Sequence, residues 1–302
     1  MQSDHGEFEG TARFEVRRRL GAGGMGVVYE VIDRERNTRV ALKTLRHARP
    51  QDLYRFKNEF RALRDLEHRN LVSLGELIEE EGEWFFTMEL VRGCDLLSYV
   101  RSGPVAQGSP PTTPGTPTSL QARESEPPDS RLLDMPAGEG DFDEDRLCDA
   151  FAQLAQGLGV LHAAGKVHRD IKPSNILVTD DGRVVLLDFG LLKETAEDRQ
   201  STDVHIVGTA AYMAPEQATG KGVGPPADWY GVGVILFVAL TGQLPFDGPP
   251  IEVFMAKQQR DAPRPSALVP TVPEALDALC VELLQRDSAK RPTGDEVMRR
   301  LG

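Results

Sequence analysis

Between Val167 and Val178 the chain reads V-H-R-D-I-K-P-S-N-I-L-V, a polar loop held between two apolar flanks. Inside it stand a carboxylate (Asp170), an ammonium (Lys172) and an amide (Asn175). A carboxylate can accept the proton of an attacking hydroxyl. A lysine two positions on can neutralise a phosphate oxygen, and an asparagine carbonyl is a hard oxygen ligand suited to Mg²⁺. Together they suit phosphoryl transfer, where positioning and charge neutralisation supply most of the catalysis. A loop of this length is, taken alone, equally a solvated connection after a buried helix. The other pieces of the chain, and their order, decide between the two.

Upstream, Phe14 to Leu20 alternates as a strand, and G-A-G-G-M-G (Gly21 to Gly26) follows before Val27-Val28-Tyr29-Glu30-Val31. A glycine-rich turn between strands lets backbone N–H groups approach phosphate, because no Cβ intervenes. No Gly-Lys-Ser/Thr follows, so this is not a Walker loop. β-branched and aromatic residues come next, so it does not open a helix as a dinucleotide fingerprint would. As an isolated motif it also fits a plain hairpin.

Val40 to Lys43 reads as a strand carrying one inward lysine, and Leu53, Phe56, Phe60 and Leu63 mark an amphipathic helix over Leu53 to Leu66. Glu59 lies at the edge of that apolar stripe, where a solvated glutamate is the plainer alternative. Glu76 and Glu79 compete with it as a partner for Lys43. Leu71 to Glu79 and Glu83 to Leu90 read as antiparallel strands about Glu80-Glu81-Gly82, with Trp84, Phe86 and Met88 on one face.

From Ser102 to Glu139 prolines stand among Gly, Ser and Thr with no apolar period. This is the composition of a loosely extended insertion, not of a domain. Asp143 to Gly165 then reads as a helix that delivers the chain into the loop around Asp170. Asp180-Asp181-Gly182 turns a hairpin between Ile176–Val178 and Val184–Leu187, and Asp188-Phe189-Gly190 follows at once. The aspartate there supplies a second oxygen ligand beside Asn175. Leu191 to Ala214 is polar. Asp228 opens a helix whose apolar run, Gly231 to Leu240, is about half of a bilayer span and so reads as buried in a core. Pro245-Phe246 marks its end. Val253–Lys257, Pro273–Leu284 and Thr293–Leu301 read as three further helices.

Net charge is −12 over 302 residues, which argues against a nucleic-acid partner. Cys94, Cys148 and Cys280 are scattered, without C-x-x-C spacing. They read as three free, buried thiols in a reduced, cytoplasmic compartment. Met1 to Glu9 has no signal-peptide pattern.

Taken together, the glycine turn, Lys43, Glu59, H-R-D-I-K-P-S-N, D-F-G, A-P-E at Ala214–Glu216, D-W-Y-G and K-R-P resemble the eukaryotic-type protein kinases, in their bacterial Ser/Thr subgroup. The resemblance implies an α+β, two-lobed fold: a small antiparallel sheet with one helix, and a larger, mainly helical lobe. It places an extension at residues 1–9, the small lobe at 10–91 and the large lobe at 92–302, with the insertion at 102–140. It implies an ATP-dependent transfer to Ser/Thr hydroxyls of proteins, with Mg²⁺ (Mn²⁺ substituting). Asp170 would orient the acceptor, Lys172 stabilise the moving phosphoryl group, and Lys43, aimed by Glu59, hold ATP phosphates. Asn175 and Asp188 would hold the metal.

By the same resemblance Leu20, Gly21, Ala22, Gly23, Gly24, Met25, Gly26, Val28, Ala41, Met88, Glu89, Val91 and Leu177 would line the nucleotide. For Met88 a plain core role fits as well, and the two are compatible. Thr195, Ser201 and Thr202 are candidate phosphorylation sites, modified in trans by transient self-association, with Arg169 as the phosphate's partner. Thr209, Glu216, Asp228 and Arg291 would be structural. A kinase-like binding module without turnover would show lesions at Lys43, Asp170 or Asp188, and none is present. A small-molecule phosphotransferase would lack the full segment ending in A-P-E.

Overall fold

The structure is a computed structural model; it describes residues 8–23, 26–45, 50–80, 82–101, 142–188, 210–219 and 222–301. The insertion at 102–140 therefore lies outside the described residues. So do Gly24 and Met25, Phe189 and Gly190, and Thr195, Ser201, Thr202 and Thr209.

Five strands form one antiparallel sheet in the order β1-β2-β3-β5-β4. They are β1 (Phe14–Gly23), β2 (Gly26–Asp33), β3 (Thr38–Thr44), β4 (Leu74–Glu80) and β5 (Glu83–Met88). Side chains alternate across the pleat, so β3 sends Leu42 to one face and Ala41 to the other. Leu42 joins Phe14, Tyr29, Val31 and Phe85 in an outer cluster. Ala41, Phe86 and Met88 face helix α1 (Pro50–Arg64) and the large core. There Phe56 and Phe60 of α1 pack against Phe86, with centroids 5.9 and 5.5 Å apart. Phe8, read above as part of an extension, lies 5.4 Å from Phe85 and closes the outer cluster. β5 is thus buried on both faces, not only on the Trp84–Met88 side.

The rest is mainly helical: α2 (Leu96–Arg101), α3 (Glu144–Ala163), α4 (Pro215–Thr219), α5 (Pro225–Thr241), α6 (Pro250–Gln259), α7 (Pro265–Leu268), α8 (Glu274–Leu283) and α9 (Gly294–Leu301). A small sheet, β6 (Cys94–Asp95), β7 (Ile176–Val178) and β8 (Val184–Leu186), lies between this part and the large sheet. Backbone bonds from Val72 to Leu186 and from Leu186 to Asn70 tie it to the segment before β4.

That tie is why β4 begins at Leu74 and not at Leu71. Leu71 spends its backbone in a bridge to Leu186. α5 is buried almost all round, as an unbroken apolar run requires. Proline at its first position suits the start, where no N–H is needed. It ends at Gly242 (φ 73°), earlier than Pro245-Phe246, because a left-handed cap returns its N–H to Val238. The short α7 carries no apolar period and was not anticipated. Among the cysteines only Cys280 is buried; Cys148 is half-buried and Cys94 is exposed, contrary to the expectation of three buried thiols.

Candidate active site

Register across the sheet aligns the first group of residues. Gly21 pairs with Val28, Val28 with Lys43, and Lys43 with Phe86. One row therefore runs from the glycine turn to the lysine. Gly26 must be glycine: its φ is 149°, and a Cβ would sit 1.7 Å from the carbonyl oxygen of Thr44. Ala22 pairs with Val27, Gly23 with Gly26 and Ala41 with Met88. Ala41 and Met88 are buried, Val28 and Val91 pack partly buried against the large core, Leu177 is half-buried in β7, and Leu20 is exposed.

Lys43 is buried, and its Nζ lies 2.7 Å from Asp188 Oδ2. Glu59 belongs to α1, but its side chain lies outside the described residues. The competing glutamates are engaged elsewhere. Glu76 pairs with Arg13 and Arg36, and Glu79 accepts the Gly82 N–H. Glu89 pairs with Arg183 through two bonds of 2.6 and 3.0 Å, and Arg183 also donates to the Arg69 carbonyl. The Glu89 carboxylate raises the Arg183 pKa above its ordinary value.

The loop around Asp170 is held from below by Asp228 of α5. One carboxylate oxygen accepts the His168 N–H (2.8 Å) and the other the Arg169 N–H (2.7 Å). His162 Nε2 donates to the same carboxylate at 2.8 Å. Asp228 is 1% exposed, so these bonds replace all of its water. His168 fixes both of its ring nitrogens. Nε2 donates to the Leu187 carbonyl, and Nδ1 accepts the Asp170 N–H. Gly231 lets α5 approach, since a Cβ there would meet Ile171 Cβ at 2.8 Å.

Arg169 (φ 64°) and Asp188 (φ 48°) occupy left-handed backbone that non-glycine residues rarely adopt. Such strain, about 1–3 kcal/mol per residue, persists only where the surroundings over-determine it. For Arg169 they do: Asp228 holds its N–H, and Gln217 Nε2 holds its carbonyl at 2.9 Å. Asn175 Nδ2 donates to the Asp170 carbonyl (2.8 Å) and to Asp170 Oδ2 (3.0 Å). Lys172 Nζ stands 3.8 Å from Asp170 Oδ2. The Leu187 N–H bonds the Asn175 carbonyl at 2.8 Å, which brings Asn175 next to the residue preceding Asp188. Farther out, Arg291 grips Glu216 with bonds of 2.6 and 2.8 Å.

Sequence reasoning singled out none of Gln217, Arg183, His162 and Lys257 as site or supporting residues. Gln217 donates to the Arg169 carbonyl and accepts the Ala214 N–H. Lys257 is fully buried among backbone carbonyls. One signal was available for it: Lys257 falls four positions after the buried Val253, on the inner side of α6.

The family described as protein tyrosine and serine/threonine kinase matches residues 14–301. Among similar proteins is a probable serine/threonine-protein kinase, PknB, of Lactococcus lactis, 30% identical over 95% of this chain and 41% of that protein. Another is a serine/threonine-protein kinase of Myxococcus xanthus, 33% identical over 93% of this chain and 31% of its own length. A third is PknE of Mycobacterium tuberculosis, 32% identical over 92% of this chain and 43% of its own length. The chain thus spans less than half the length of these relatives. With a match over nearly its whole length, the chain belongs to the protein tyrosine and serine/threonine kinase family.

Proposed function

We propose that this chain is an ATP-dependent serine/threonine protein kinase. The observation that carries the reading is the ion pair of Lys43 with Asp188 at 2.7 Å, in the same structure that ties Asn175 to Asp170 at 3.0 Å. Lys43, distant in sequence, is brought to the short segment that carries Asp170, Asn175 and Asp188, as phosphoryl transfer needs. The relatives above carry serine/threonine kinase in their names, which supports the acceptor class. Lys172 in the loop supports it too.

Family members use ATP with a divalent metal. The donor set suits a hard cation: the Asp188 carboxylate and the Asn175 amide oxygen come from adjoining segments. Among the described residues no three His, Cys, Asp or Glu side chains form a metal cage. That fits Mg²⁺, or Mn²⁺ in its place, which takes few protein ligands and shares phosphate oxygens. When bound, the metal would neutralise charge between the phosphates.

Asp170 orients the acceptor hydroxyl and takes its proton as the acceptor oxygen bonds to the γ-phosphorus and the bond to the β-phosphate breaks. Lys172 balances charge on the moving group. Lys43 exchanges Asp188 for phosphate oxygens, with Glu59 as its aiming partner. The β1–β2 turn covers the phosphates, and Leu20, Ala41, Met88, Glu89, Val91 and Leu177 enclose the base. The division between lobes falls near Val91. Arg169 receives a phosphate placed on Thr195, Ser201 or Thr202 by a second copy of the chain. Three free thiols suit a reducing, cytoplasmic setting.

Labelled ATP tests this directly. Incorporation into the chain itself or into an added acceptor protein, abolished by Asp170→Asn, is expected. No incorporation by the unmutated protein would leave a nucleotide-binding module. Mass spectrometry of the product locates the modified Ser or Thr.

A further inference from the structure

Lys257 is a buried lysine that the chemistry above does not use. It sits on α6 at 0% exposure, and among the described residues it makes no ion pair. Its ammonium donates to three backbone carbonyls: Ala210 (2.9 Å), Ala211 (2.6 Å) and Met213 (2.8 Å). That uses all three N–H donors of a lysine. The Tyr230 ring lies 5.2 Å from the same nitrogen. Burial pushes the Lys257 pKa down to about 7, and the three carbonyls pull the other way by favouring the charged form.

An uncompensated ammonium in a core is costly, and it persists where fixed dipoles replace its water. Here the dipoles belong to the backbone of Ala210, Ala211 and Met213, just before α4. Tyr212, Met213 and Gln217 share one small hollow with Arg169, Asp170 and Ile171, and Ala227 and Gly231 of α5 complete its lining, so this segment walls the space beside the Asp170 loop. Gln217 completes the frame, joining the Ala214 N–H to the Arg169 carbonyl. Gln258, the next residue on α6, donates to the Pro215 carbonyl at 2.8 Å.

We propose that Lys257 is a positioning residue for the protein acceptor: its ammonium holds the Ala210–Met213 wall against the Asp170 loop and so sets acceptor affinity without touching the nucleotide. This rests on the kinase reading. The acceptor hydroxyl must reach Asp170, and any segment carrying it lies against the wall that Lys257 holds. Lys257 acts on backbone, so it tunes the height of the wall irrespective of the side chains there.

The test uses the full chain, ATP with Mg²⁺, and myelin basic protein as acceptor. Lys257→Met keeps the apolar stem and removes the donors; Lys257→Gln keeps two donors on a shorter stem. Lys257→Met is expected to lower kcat/KM for the acceptor on the order of 10- to 100-fold, mainly through KM. The KM for ATP and the acceptor-free hydrolysis of ATP should stay within about twofold. Lys257→Gln should recover part of the loss, and it serves alone if Lys257→Met does not fold. Equal losses with and without acceptor, or an unchanged acceptor KM in both variants, would overturn the proposal alone. No transfer by the unmutated chain would overturn the kinase reading first.

Discussion

Lys43 Nζ lies 2.7 Å from Asp188 Oδ2, a bond that joins the middle strand of the five-stranded sheet to a residue two positions past β8. It links the two parts of the molecule at the point where a metal–nucleotide would sit. Asp188→Asn preserves shape and removes the charge that pairs with Lys43 and that the proposed cation would use. Transfer should fall on the order of 10³-fold, and raising the metal concentration should not restore it. Lys43→Arg should not substitute either, because a planar guanidinium cannot act as the same point charge. Labelled-ATP assays across a metal titration check both. Activity within about tenfold of the unmutated chain in Asp188→Asn would remove Asp188 from the metal site.

Asp228 predicts a coupled loss of stability and rate. It accepts from two backbone N–H groups and from His162 while almost wholly buried. Asp228→Asn turns one acceptor into a donor that faces donors. The expected cost is about 3 kcal/mol of unfolding free energy, with a lower kcat from a loosened Asp170 loop. Urea unfolding alongside steady-state rates measures the two together. Full stability in the variant would mean that the loop holds its strained Arg169 by other means.

Arg291 and Glu216 should prove unequal when removed singly. Arg291 is fully buried at its side chain and also donates to the Pro226, Gln285 and Arg286 carbonyls. Arg291→Met strands several acceptors and should cost about 3–5 kcal/mol, whereas Glu216→Gln keeps an acceptor and should cost less. Thermal midpoints order the two, and a reversed order would contradict the geometry.

Acid should weaken the five-stranded sheet through Asp33. The Arg13 guanidinium, bonded to both of its oxygens at 3.0 and 2.7 Å, holds the Asp33 pKa below the ordinary aspartate value against the pull of burial. A carboxylate with a depressed native pKa binds protons more weakly folded than unfolded. Its contribution is therefore complete above about pH 4 and is lost as pH falls further through the native pKa. Asp33→Asn should lower stability at neutral pH and flatten the acid limb. Urea midpoints from about pH 3 to about pH 7 test this; an unchanged acid limb in the variant would assign it to other carboxylates.

What was legible came from short-range pattern. Alternation announced β1 and β5, runs of β-branched and apolar residues announced β2 and β3, and the long apolar run announced α5. The residues proposed to carry the chemistry, Lys43, Asp170, Asn175 and Asp188, stood out because polar groups in apolar surroundings are costly without a task. Boundaries failed where a tertiary contact took over, as at Leu71, whose backbone pairs with Leu186 instead of extending β4. Exposure of Cys94 was equally unreadable, because burial depends on what packs over a residue.

By itself, the amino-acid sequence determined the family and the alternation of strands and helices, and it nominated the side chains proposed to carry chemistry, because these depend on residue type and local period. Only the tertiary structure decided who meets whom. It set the partner of Lys43, the capture of Glu89 by Arg183, and the seat of Lys257 under carbonyls 44 to 47 residues away. A lysine reads the same on paper whether it faces water or a turn. The difference arises from desolvation and dipole alignment, which exist only once distant segments pack.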